Sequence, residues 1–122
     1  PVPYYKLLEV TTSADIGVFL CENKCLSYNY CMPNKLFEYL MAGLPVIVSN
    51  LAEIGNFVKV NKIGFVVSNY SVDEINNSIN KIFNQDLTKF KNKIKKISIK
   101  TSWNNQEIKM KEIYKKILNS FK

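Results

Sequence analysis

Lys35 and Glu38 stand three residues apart near the middle of the chain, just behind Pro33 and Asn34. On a helix, spacings of three and four put Lys35 and Asn34 on the same side as Glu38. Pro33 or Asn34 is a helix start signal, so the group falls at a helix N-terminus. Unpaired backbone N–H groups and the positive end of the macrodipole gather there, and together they attract an anion such as a phosphate. Lys35 adds a full positive charge. Glu38, one turn on, can accept two hydrogen bonds from a vicinal diol such as that of a ribose. Read alone, Lys35 and Glu38 are an ordinary surface ion pair worth about a few tenths of a kcal/mol, and Asn34 is a cap. Glu53 follows a later apolar run. A carboxylate there either meets the dipole of the next helix or reaches the same ligand as a secondary contact.

Other chemistries are excluded by what the chain lacks. Its 122 residues contain no His, so no mechanism can use imidazole as acid, base or ligand. Cys21, Cys25 and Cys31 lie close together. Three thiols without a fourth Cys or any His do not complete a structural zinc site, so no metal is expected. An odd cysteine count without a secretion signal points to a reducing, cytoplasmic setting. The net charge is +7, carried by 17 Lys and no Arg against 10 acids. Residues 1–80 sum to −2 and residues 81–122 to +9. A basic half suggests nucleic acid or an anionic membrane. The chain also holds 15 Asn and 13 Ile, the mark of an AT-rich coding sequence, and a dedicated anion site would use the Arg fork. No nucleic-acid partner is therefore expected.

The hydrophobic fraction of 47% is ample for a packed core. Residues 4–13 read as a short helix. Ile16–Leu20 is a continuous apolar run, as in a strand buried on both faces. Residues 21–33 read as a polar loop, long enough to suggest a functional one. A helix runs from Asn34 to Ala42, where Gly43 stops it, with Leu36, Tyr39 and Leu40 on its buried face. Pro45–Val48 and Gly64–Val67 are the second and third strands, with a short helix at 51–59 and a turn at Asn61-Lys62 between them. Ser71-Val72-Asp73-Glu74 is a capping box that opens an amphipathic helix. Phe90, Ile94 and Ile97 mark another helix. A last one, capped near Ser102, presents Met110, Ile113, Tyr114, Ile117, Leu118 and Phe121 as a face to bury. The fold class is α/β, with three parallel strands near 16–20, 45–49 and 63–67, adjacent in that order, followed by helices. Ligands in such sheets bind beyond the carboxyl ends of the strands, here the loops at 21–33, 49–53 and 68–71.

The segment Pro33-Asn34-Lys35-Leu36-Phe37-Glu38-Tyr39-Leu40-Met41-Ala42-Gly43-Leu44-Pro45-Val46-Ile47 resembles the C-terminal, donor-binding domain of GT-B glycosyltransferases of the retaining family-four type. Ala14-Asp15-Ile16 and Gly64-Phe65 are supporting marks in the right order. The resemblance implies the second half of a doubly wound, Rossmann-like domain. It also implies transfer of a sugar from a nucleotide-diphosphate sugar to a saccharide or lipid-linked acceptor, in bacterial cell-surface polysaccharide synthesis and without a metal. The implied donor-binding set is Glu38, Lys35, Asn34, Tyr30, Met32 and Leu36. Glu38 matches the second Glu of the family's E-x7-E pattern, which takes the ribose. Tyr30 stands where the first Glu belongs, beside the transferred sugar; a phenol can donate and accept one hydrogen bond and stack on a sugar face. Cys31-Met32-Pro33 replaces the Gly residues often found between the two positions.

Residues 1–122 are then expected to be part of that domain, with the acceptor-binding N-terminal domain as its missing partner and no transferase activity alone. The unpaired edge of the first strand, bearing Ile16, Val18 and Leu20, is expected to join two copies into a homodimer favoured by salt. Peripheral contact with the inner face of a membrane is an alternative use of the last helix. A reading of a different class is a small α/β interaction module whose basic helical tail binds an anionic partner.

Overall fold

The computed structural model describes residues 1–121. Three parallel strands form one sheet in the order β1-β2-β3, with β1 at Gly17–Phe19, β2 at Val46–Ser49 and β3 at Gly64–Val67. Gly17 pairs with Val46, and Val46 in turn with Gly64. The expected fold class and strand order are borne out. Val46, Ile47 and Val48 are all fully buried, because side chains alternate across a sheet that is covered on both faces.

A 3-10 turn at Tyr4–Lys6 leads into α1, Leu7–Thr11. Behind β1 comes a short α2, Leu26–Asn29, and then α3, Asn34–Met41. The chain continues through α4 (Ala52–Asn61), α5 (Val72–Phe83), α6 (Leu87–Thr101) and α7 (Trp103–Ser120). Leu36 and Leu40 of α3, Ile54 and Val58 of α4, and Phe90 and Ile94 of α6 pack on Val46 and Val48. On the opposite face, Ile82 of α5 packs on Ile47 and Val67.

Two parts of the sequence reading are corrected. Residues 21–33 are not all loop: α2 lies within them. Its Asn29 accepts the Ala52 N–H at 3.2 Å, so the segment caps α4 from outside. The face of α7 that periodicity marks for burial is exposed at Met110, Ile113, Tyr114, Ile117, Leu118 and Phe121. Periodicity shows that a helix has an apolar side; it does not show what covers that side. Ser102 also makes no side-chain cap of α7 and instead donates its hydroxyl to Ile99 O.

The free edge of β1 is partly closed. Gly17 N–H donates to Pro45 O on the β2 side, so by alternation the Val18 carbonyl faces the outer edge. There it accepts the Tyr39 hydroxyl at 3.2 Å. The Tyr39 ring lies directly over Gly17, in space that a Cβ at that residue would fill. With three residues in the strand and one outer acceptor engaged, little edge is left to pair with a second copy. Tyr39→Phe is expected to cost about 0.5–1.5 kcal/mol by urea unfolding. The same variant should raise self-association in sedimentation at high salt. An unchanged midpoint and an unchanged mass distribution would show that the hydroxyl neither holds nor guards the edge.

Candidate functional site

The loops at the carboxyl ends of the strands are tied together by hydrogen bonds. Ser49, the last residue of β2, is buried, and its Oγ accepts the Cys21 N–H at 2.7 Å. The Cys21 carbonyl accepts the Tyr70 hydroxyl, also at 2.7 Å. One chain of contacts therefore ties together the loops that follow all three strands. Glu74 stiffens the third: its carboxylate accepts the N–H groups of Ser68 and Asn69 at 3.0 and 2.8 Å. Only half of the expected capping box forms. Ser71 Oγ accepts the Glu74 N–H, while the Ser71 N–H donates to Asn69 Oδ1 in place of Glu74. Burial, with Cys21 nearby, pushes the Cys31 thiol up.

The N-terminus of α3 opens onto this edge. Pro33 is its N-cap, with extended φ and ψ of −72° and 146°, and no side chain caps the helix. Asn34 is thus the first helical residue and not the cap, a correction with a simple cause. The backbone of Pro33 is extended, so the helical conformation begins one residue later, at Asn34. Leu36 N–H donates to Pro33 O at 3.0 Å. The N–H groups of Asn34 and Lys35 precede the first intrahelical bond and have no partner within the helix.

Asn34 and Glu38 line one groove of about 420 Å³, walled by Tyr4, Phe37, Thr101, Trp103 and Gln106 among others. Asn34 and Lys35 are exposed and Glu38 is half-buried. Among the described residues Lys35 makes no ion pair with Glu38; the pairs formed are Lys24–Glu22, Lys89–Asp86 and Lys111–Glu107. The bland reading of that spacing is not realised. Hydrogen bonding to Glu22 and its charge hold the Lys24 ammonium above its usual range.

Lys35 and the remaining candidates do not line the groove. Tyr30 is exposed at the end of α2. Met32 is half-buried against the core. Leu36 is fully buried with its N–H engaged, so neither its side chain nor its N–H is open to a ligand. It fastens α3 to the sheet. Glu53 is exposed in the first turn of α4 and does not line the groove. The far wall, Trp103 and Gln106 on α7 with Thr101 on α6, was not legible in the sequence. These residues follow Glu38 by more than sixty positions and carry no motif. Only the antiparallel packing of α6 beside α3 brings them in.

Comparison with known proteins places the site in context. Residues 15–116 match the family model described as glucosyltransferase 3-like, C-terminal domain. No curated protein and no solved structure matches the chain. The match begins just ahead of β1, spans the sheet and the α3 site, and ends within α7. It is the independent counterpart of the glycosyltransferase-like segment around Glu38, and the chain belongs to the glucosyltransferase 3-like C-terminal domain family.

Proposed function

We propose that this domain binds the nucleoside diphosphate of a sugar donor, as the donor half of a GT-B glycosyltransferase of the retaining, family-four type acting in polysaccharide synthesis. The observation that carries the reading is the uncapped N-terminus of α3, opening at the carboxyl edge of a parallel sheet and continuous with a groove that holds Glu38. The diphosphate takes the free N–H groups of Asn34 and Lys35 and the Lys35 ammonium. The ribose diol takes the Glu38 carboxylate. On bond cleavage, Lys35 and the helix end stabilise the charge that grows on the leaving diphosphate, with no metal required. Tyr30, from the end of α2, meets the sugar, and Glu53 is a secondary contact. The N-terminal acceptor-binding domain is the partner that completes the transferase, and the chain alone binds donor without turning it over.

Calorimetric titration with UDP, dTDP, GDP and ADP tests this. One or more should bind with a Kd between about 1 μM and 1 mM. Lys35→Ala should weaken that binding about 5- to 50-fold, in line with loss of a charged contact. The absence of binding by all four, or an affinity indifferent to Lys35, would overturn the reading.

A further inference from the structure

At the amino end of β3, away from the α3 N-terminus, lies a second groove of about 440 Å³. It is lined by Gly64 and Phe65 of β3, by Lys59 and Lys62 at the end of α4, and by Lys89 and Lys93 of α6. Lys89 and Lys93 share a helix face by their spacing of four. The core sets the walls: Phe90 of α6 is buried and meets Phe65 edge-on, with ring centroids 6.5 Å apart. Asp86 is the one acid in the lining, and its carboxylate is already in use. It accepts the Thr88 N–H at 2.9 Å and meets Lys89 at 3.9 Å. Lys59 donates to Asn50 Oδ1 at 2.9 Å. Lys62 and Lys93 are exposed and make no ion pair among the described residues.

Lys62 also holds an uncommon conformation. Its φ is 52° and its ψ 45°, in the left-handed region, and it is the one described non-glycine residue with a positive φ. Gly is commonest at such a position behind a helix, and Asn next, because a Cβ is crowded there. Lysine thus bears a strain that Gly would avoid. What it adds is a fourth positive charge at the groove. Like charges around one concavity repel, and a multivalent anion relieves the repulsion. The chain has no Arg, so recognition here is by point charges and not by the fork that fits a carboxylate. Point charges from separate elements suit a compact anion with two or more charges on a few atoms, as in a phosphate monoester or a diphosphate. The place is also clear of the partner already proposed. On the donor-binding reading, the acceptor domain faces the carboxyl edge and the rest of a doubly wound sheet extends beyond β1. This groove is at the other end of β3, the strand farthest from β1.

We infer that the groove between the end of α4 and the start of α6 is a second anion site, which takes a small phosphorylated molecule. Lys62 and Lys93 supply its free charges, with Lys59 and Lys89 beside them. It is separate from the diphosphate position proposed at α3.

An amide-resolved NMR titration of the chain with pyrophosphate, at constant ionic strength, tests the inference. The Lys62, Gly64 and Phe65 signals should shift saturably, with a Kd of about 10 μM to 1 mM. Malonate, a dianion built of carboxylates, should bind there at least about 10-fold more weakly. Lys62→Gly and Lys93→Ala should each weaken pyrophosphate binding at these signals at least about 5-fold. The urea midpoint of Lys62→Gly should not fall, because Gly takes the left-handed conformation without strain, so lost binding is not lost folding. Lys100→Ala, on α6 but outside the groove, should leave the affinity unchanged. The absence of a saturable shift at Lys62 and Gly64 overturns the inference. So does equal binding of malonate, or an affinity that ignores Lys62. An equal loss from Lys100→Ala overturns it too, since that marks a diffuse positive field and not a site. Shifts at Asn34 and Lys35 report the α3 position in the same spectra, so this inference and the donor-binding reading fail separately.

Discussion

Gly64→Ala is expected to destabilise the protein by at least about 3 kcal/mol, enough to leave much of it unfolded at 37 °C. Gly64 opens β3 and pairs with Val46 of the central strand. A Cβ built there overlaps the Val46 carbonyl oxygen and falls within 2.8 Å of the Val46 nitrogen. That obstacle is backbone, not the flexible end of a side chain. It is the backbone of a residue that is itself fully buried and whose N–H donates to Ile63 O. Relief requires β3 to move away from β2, and the two are in register up to Ser49 and Val67. Ser49 holds Cys21, so the disturbance reaches the carboxyl edge as well. Gly43 makes a contrast. Its φ is 77°, and none of the described residues comes within 4 Å of a Cβ there. Gly43→Ala therefore meets only backbone strain, about 1 kcal/mol, and Asn should be tolerated better. Urea unfolding of the variants checks the order. A Gly64→Ala midpoint equal to that of Gly43→Ala would mean that the strands separate at no cost.

The same contrast shows what could be read before the structure was known. The strands were legible because Val46, Ile47 and Val48 are buried on both faces and so form an unbroken apolar run. The α3 site was legible because helix start, charge and carboxylate fall within six consecutive residues. What was hidden depends on partners distant in the chain. The exposed α2, with Leu26 at 75% exposure, has no periodic face and is held by Asn29 acting on Ala52. Glu74 looked like a capping residue and is drawn away by two loop N–H groups. The apolar stripe of α7 was plain in the sequence. Its exposure was not, since burial belongs to the neighbour as much as to the helix.

Glu38→Ala is expected to weaken binding of the nucleoside diphosphate by about 1–3 kcal/mol, or about 5- to 150-fold. The carboxylate is half-buried in the groove beside Asn34 and is not consumed by Lys35. Its acceptor capacity is thus available to a diol. Losing it removes the one charged acceptor of the groove lining and leaves only neutral side-chain oxygens such as those of Asn34 and Gln106. The substitution lies within a helix, where alanine is favourable, so the urea midpoint should not fall. Glu38→Gln keeps one acceptor oxygen and loses the charge, and should fall between wild type and alanine. The decisive comparison uses a 2′-deoxy nucleotide. If Glu38 holds the diol, removing the 2′-hydroxyl should cost affinity in the wild type and almost nothing in Glu38→Ala, because the two changes delete the same interaction. Equal 2′-deoxy penalties in both proteins would place the ribose elsewhere. Glu38 would then be a groove carboxylate without contact to the sugar ring, while diphosphate binding at the α3 N-terminus, tested by Lys35→Ala, could still stand.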